Sequence, residues 1–340
     1  MQNTTREKFN AFTAQVGELN GVKNTATKFT IAPSVQQTLE AKIQESSEFL
    51  SRINIVGVEE LTGQKLALGV AVSIASRTDT TSKDRTPKDV SDLADNSYTL
   101  KQTNFDTALS YGKLDMWAKF PNFQTILRDQ IVNQQALDRI MVGFNGTSAS
   151  ADTNATTNPL LQDVNKGWLQ QYREKAPERV MTEVDLSGTP EDAGKIVVGA
   201  GKHYKNLDAL VFDARNNLID PVYRRAPGMV ALVSDDLMSD KLFPLVNDQT
   251  APTEKLAADI VVSQARLGGL QAIAVPYMPA GTVLITSLNN LSIYFQNGKR
   301  RRAIIDNPKR DQVENYESSN EGYVVEAFAA GCLIENIELA

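Results

Sequence analysis

The first periodic signal along the chain is a short one. Phe9, Phe12, Val16 and Leu19 recur at helical spacing, and Asn20-Gly21 predicts the helix end. The other faces of this segment are polar, so its apolar stripe needs a partner surface to be stable. A second helix is predicted from Pro33 to Ser51, with proline in its first turn. Together these read as an arm. Leu66, Leu68, Val70, Val72 and Ile74 then alternate at period two, and so do Phe105, Thr107, Leu109 and Tyr111. Between them lies Ala75–Ser97, polar and without an aromatic residue. The pattern predicts an extended two-stranded ribbon with a polar tip, and such a ribbon must rest on another surface.

The longest amphipathic stripe covers 121–143 and its flank: Phe123, Ile126, Leu127, Ile131, Leu137, Ile140, Met141 and Phe144. Pro121 suits its first turn, and Gly143 with Asn145-Gly146 is expected to stop it. A helix of that length spans roughly 33 Å and reads as a spine. A further helix is predicted after Asn158-Pro159, carrying Leu160, Leu161, Val164, Trp168, Leu169 and Tyr172. Residues 180–202 predict a β-hairpin turning near Ser187–Gly194. Beyond it, helices are predicted at Leu207–Ile219, Asp235–Phe243 and Glu254–Leu267. Strands are predicted at Met229–Val233, Leu270–Val275, Val283–Ile285, Leu291–Tyr294, Tyr323–Phe328 and Cys332–Ile337. Helices and strands come in runs without strict alternation, which indicates an α+β fold.

Composition narrows the function. The 340 residues include 41% hydrophobic ones, enough for a sizeable core. The net charge of −6 argues against a protein whose task is gripping DNA, because phosphate contacts need Lys and Arg. One cysteine, Cys332, allows no intrachain disulfide, and one histidine, His203, gives no His/Cys metal spacing. The two would form a nucleophile pair only if they met in space; a core Cys and a loop His is the simpler expectation. The N-terminus MQNTTREKFN is polar, with no apolar signal region behind it, and no window has the length of a membrane span.

The motifs with chemical potential fail on inspection. Gly194–Lys202 (GKIVVGAGK) lacks the Lys-Ser/Thr pair that a phosphate loop needs after its second glycine. Lys299, Arg300, Arg301 and Arg302 form a basic run, expected to be a loop that is solvated or meets acidic groups of a neighbouring subunit. Asp235-Asp236 follows Ser234 and reads as a helix cap. Glu59-Glu60 has no feature of a catalytic pair, and no G-x-S-x-G serine motif is present. Trp117 and Trp168 are expected as core anchors. No catalytic, cofactor-binding or metal-binding residues are predicted, and no cofactor.

Five segments carry a resemblance: Gln44–Val56, Leu137–Gly146, Asn158–Arg173, Leu207–Ile219 and Val313–Ile337. In order and nearly throughout its length, the chain resembles the major capsid proteins of peduovirus-type, P2-like tailed phages. The resemblance implies the HK97-like fold of tailed-phage and herpesvirus shells. It implies an N-terminal arm (1–52), an extended loop (53–112), a peripheral domain (113–203 and 315–340) and an axial domain (204–314). It further implies pentamers and hexamers of the chain itself, closing an icosahedral shell around double-stranded DNA held without sequence-specific contacts. Scaffolding protein, a maturation protease and a portal are implied partners; a membrane is not. The stripe of the first helix would then dock on scaffold or on the inner shell, and relatives lose an N-terminal segment, here expected to end between Asn20 and Pro33. The alternative reading is a nucleic-acid-binding or packaging accessory protein.

Overall fold

The computed structural model describes residues 1–65, 75–86, 97–120, 122–183, 194–247 and 265–340. The predicted strand at Leu66–Ile74, the far half of the polar insert, Pro121, the turn at Ser187–Ala193 and nearly all of the predicted helix Glu254–Leu267 lie outside the described residues.

Two sheets organise the body. The first has seven strands around β15 (Gln312–Val325). One edge of β15 takes β14 (Arg301–Asn307) and then β13 (Leu291–Gln296); the other takes β6 (Thr107–Ser110) and then β5 (Lys101–Asn104), all antiparallel. Outside these, β1 (Phe29–Thr30) pairs with β14, and β2 (Asn54–Val58) runs parallel to β13. The second sheet has six strands, ordered β10 (Arg266–Leu267), β11 (Leu270–Ala274), β9 (Met229–Val233), β12 (Val283–Ser287), β16 (Cys332–Ile334) and β7 (Val180–Met181). Both its faces are covered, which is why MVALV and CLI read as continuous apolar runs.

The alternation within those runs divides two cores. Val230, Leu232, Leu284 and Leu333 face the first, with Leu291, Ile293, Tyr323 and Val325 of the seven-stranded sheet. Two helices complete it: α5 (Phe123–Asn145), giving Ile140 and Phe144, and α6 (Trp168–Lys175), giving Trp168, Leu169 and Tyr172. Ala231, Val233, Ile285, Cys332 and Ile334 face the second core, against α7 (Leu207–Leu218) and the start of α8 (Asp235–Asn247).

The arm consists of α1 (Asn3–Asn20), α2 (Pro33–Glu45) and α3 (Glu48–Arg52). Helix α1 ends where expected, at Gly21 in the left-handed region (φ 66°). Three residues of its stripe pack within the same chain, whereas Leu19 stays exposed. Phe9, Phe12 and Val16 pack on Phe29, Ile31, Ile304 and Val313, and on Leu114 of α4 (Tyr111–Trp117). The single helix predicted over Pro33–Ser51 is broken at Ser46-Ser47, where Ser47 caps the Leu50 amide.

Four other expectations change. Tyr111 opens α4 and is not a strand residue. The helix expected after Asn158-Pro159 begins only at Trp168, because Asp163 accepts hydrogen bonds from the Asn154 amide (2.7 Å) and the Asn158 side chain (3.0 Å), and Asn165 reaches the Glu321 carbonyl (2.9 Å). Such side-chain bonds compete with the helix ladder. The described residues of 180–202 do not pair with one another as a hairpin: β7 pairs in parallel with β16, whereas β8 (Ile196–Val198) pairs in parallel with β17 (Ile337–Leu339) in a separate sheet. Finally, Gly143 does not stop the spine helix but lies inside it. A Cβ there would sit 2.2 Å from the Trp168 ring, so glycine is what lets α6 approach.

Candidate functional site

The most elaborate side-chain cluster among the described residues is a set of charges buried where the arm meets the body. Glu40 of α2 lies between Arg139 of α5 and Arg300, which precedes β14. One Glu40 oxygen accepts from Arg139 Nη1 at 2.8 Å and the other from Arg300 Nη1 at 2.5 Å. Arg139 turns its remaining edge to Glu321 of β15, donating from Nε at 3.1 Å and Nη2 at 2.6 Å in a two-pronged contact. Arg300 donates from Nε to Glu317 at 2.6 Å and from Nη2 to Gln135 of α5 at 2.8 Å. None of these side chains is more than 5% exposed. Burial pushes the Glu40 carboxyl up, but the Arg139 and Arg300 guanidiniums outweigh it and hold Glu40 below the usual carboxylate range.

The arm is tied at further points. Gln36 donates to the Gln296 carbonyl (3.1 Å) and accepts from the Gly298 amide (3.0 Å). On α1, Arg6 pairs with Asp306, which also accepts from the Tyr111 hydroxyl, and Lys8 Nζ reaches the Ala118 carbonyl at 2.6 Å. Between α1, α2, α5 and the β14–β15 hairpin lies a largely apolar cavity of about 510 Å³, walled by Phe9, Phe12, Leu39, Leu127, Ile131 and Ile304 among others.

The basic run therefore has a different role from the loop expected of it. Arg300 is fully buried and pairs with carboxylates of its own chain. Arg301 and Arg302 open β14, with Arg302 donating to Asn315 at 2.6 Å, and only Lys299 and Arg301 are exposed. Sequence reading missed the cluster because 312–322 shows little apolar periodicity. One signal was available: Glu317 and Glu321 are four apart, which places both on one face if the segment is a strand.

The remaining candidates carry no reactive arrangement. Burial raises the Cys332 thiol to about 12, and the thiol donates to the Ala214 carbonyl at 3.9 Å. His203 Nδ1 accepts from the Val197 amide at 3.1 Å, in the turn after β8. Asp236 accepts from the Gly281 amide (3.0 Å) at the start of α8, and Glu59 from Asn297 (2.9 Å). Trp168 is fully buried among Phe49, Phe144 and Tyr323, its Nε1 donating to the Ser292 carbonyl. Trp117 is only partly buried, against the arm. Among the described residues, no group of three or more His, Cys, Asp or Glu is placed to hold a metal, and no helix is long and apolar enough to cross a membrane.

The family model for the phage major capsid protein, P2 family, matches residues 8–337. The chain belongs to this family. As a P2-family capsid protein it is 50% identical over 342 residues to the capsid protein of Escherichia phage P2, covering 100% of this chain and 96% of that one. It is 40% identical over 345 residues to the major capsid protein of Serratia phage KSP20, covering 100% and 98%. A chain of the satellite phage P4 procapsid, solved with its size determination protein, superposes with a TM-score of 0.83 at 48% identity, covering 100% of this chain and 99% of that one. The capsid protein of an empty GTA particle shares the fold at 18% identity (TM-score 0.51; 86% and 90% covered). This capsid protein is thus a structural subunit with the α+β fold of tailed-phage shells, not an enzyme, and its clustered charges join the arm to the body.

Proposed function

We propose that this capsid protein assembles into pentamers and hexamers that close an icosahedral shell around packaged double-stranded DNA. Scaffolding protein, a maturation protease and a portal act with it, and the DNA is enclosed without sequence-specific contacts. Synthesis and assembly take place in the host bacterial cytoplasm, and the product is the virion shell. The observation that carries the reading is the full-length likeness, at nearly half identity, to a subunit of a solved procapsid. The net charge of −6 favours a wall that does not adhere to its contents.

In this reading 1–52 is the arm, 53–112 the extended loop, 113–203 with 315–340 the peripheral domain, and 204–314 the axial domain. Both large sheets join strands from the last two units: β13 and β14 pair with β15, and β12 pairs with β16. Shared sheets make the body stiff, so changes in curvature fall to the arm and loop. Purified or co-expressed protein viewed by electron microscopy should show capsomers or closed shells. A stable, homogeneous monomer at micromolar concentration, with no particles under any assembly condition, would sink the reading.

A further inference from the structure

A second cavity, of about 410 Å³ and more polar than the first, opens between the root of the loop and the body. The root is a short antiparallel pair, β3 (Thr62–Gln64) with β4 (Ser97–Thr99). Four lysines line the cavity: Lys65 just after β3, Lys101 on β5, Lys166 before α6, and Lys175 at the end of α6. Among the described residues Glu174 is the one acidic residue lining it, and it is already engaged by Lys166 (2.8 Å) and Gln170 (2.9 Å). The other three ammonium groups touch no carboxylate among the described residues. Lys65 donates to the Val325 and Glu326 carbonyls, 5.9 Å from the centre of the Phe328 ring. Lys175 donates to the Ser97 carbonyl at 3.1 Å, and Lys101 is exposed.

Two more carboxylates act from the margins. Glu60 is felt by Tyr98, and Glu326, which accepts from the Tyr294 hydroxyl at 2.9 Å, is felt by Lys65. Burial lowers the Lys65 pKa, Glu326 opposes that, and the like charge of Lys175 adds to it. Ammonium groups gathered in a concave site with so little matching charge among the described residues are stabilised by an added anion.

We propose that this cleft is a docking site for a carboxylate-bearing surface segment of a second copy of the chain. The inference rests on the shell reading, which sets many copies side by side. Three observations favour a protein carboxylate over nucleic acid. The ammonium groups converge on one pocket, whereas a duplex is gripped by cations spread along its phosphates. The pocket's volume suits a few side chains. The chain has 41 Asp and Glu against 35 Lys and Arg, so each neighbouring copy brings surplus carboxylates.

The test uses particles assembled from an equal mixture of nitrogen-14 and nitrogen-15 full-length protein. A carbodiimide joins amines to carboxylates in direct contact, and mass spectrometry reads the isotopes of each joined pair. Lys101 or Lys175 joined to Asp or Glu in mixed-isotope pairs is the expected result. Bonds only to Glu60, Glu174 or Glu326 of the same copy, or none at these lysines, would overturn the proposal. In parallel, the exposed pair K101A/K175A should raise the protein concentration needed for assembly about fivefold, with an unchanged unfolding midpoint before assembly; an unchanged threshold counts against docking. Should K101A/K175A instead lose duplex-DNA retention with no mixed-isotope bonds, the cleft belongs to nucleic acid and the proposal is wrong. Wild-type protein that never forms particles would remove the shell reading itself.

Discussion

Glu40 and Arg139 are 99 positions apart in the chain and meet at 2.8 Å, 5% and 1% exposed. One belongs to the arm and the other to the spine helix, so this contact and its Arg300 counterpart fix how the arm lies on the body. A buried pair of this kind is not in itself a large source of stability, but removing one partner strands the other.

E40Q should therefore be costly. It leaves Arg139 and Arg300 with the carboxylates of Glu321 and Glu317 but without the one they share. The expected loss is about 1–3 kcal/mol of unfolding free energy, because each arginine keeps one carboxylate and loses only its hydrogen bond to Glu40. Denaturant unfolding of the unassembled protein measures it, and a loss below about 1 kcal/mol would show that the cluster is not what holds the arm.

The same cluster predicts a direction with pH. Glu40 titrates lower in the folded protein than its ordinary value of 4.5. Its contribution is fully present above that value and disappears as the pH falls through the lower folded-state pKa. Wild-type protein should lose stability as acid is added below about pH 4.5, and E40Q should show a shallower acid slope. Equal slopes in thermal melts across this range would contradict the assignment.

G143A tests the packing of the spine. Alanine ordinarily favours a helix over glycine, yet here its methyl group would meet the Trp168 ring. The expected outcome is a loss of about 1–3 kcal/mol from overpacking, with a change in tryptophan fluorescence as the ring is displaced. A stabilised variant with unaltered fluorescence would mean that α6 moves away freely.

F9D/F12D should detach α1 while sparing the body. The two rings pack on the surface of Leu114, Ile304 and Val313 and wall the 510 Å³ cavity. Limited proteolysis should cut the variant near Lys23–Lys28 faster than wild type, with little change in the main unfolding transition. Particles of the variant should be malformed or of mixed size; normal particles would leave α1 without a part in assembly.

How much of this was legible in the sequence follows from how each element is buried. Helices α1, α5 and α7 present one face to a core, and one-sided burial leaves a 3.6-residue trace that Phe9–Val16 or Val132–Phe144 display, although the stripes run on to Leu19 and Ile126, which are exposed. Strands β9, β11, β12 and β13 were visible as short apolar runs, and the capsid family was visible in long matching segments. The β14–β15 hairpin was hidden because its inward side chains include Glu317 and Glu321, charged groups that are tolerable only with partners elsewhere in the fold. The separate pairings of β7 and β8 were hidden for a different reason: they depend on the C-terminal strands more than 130 residues on. Local periodicity thus determined which segments are helices and strands. Only the tertiary structure decided that Arg300 is a buried clamp and not a solvated loop charge, because a charge's role is set by the groups brought to it in space.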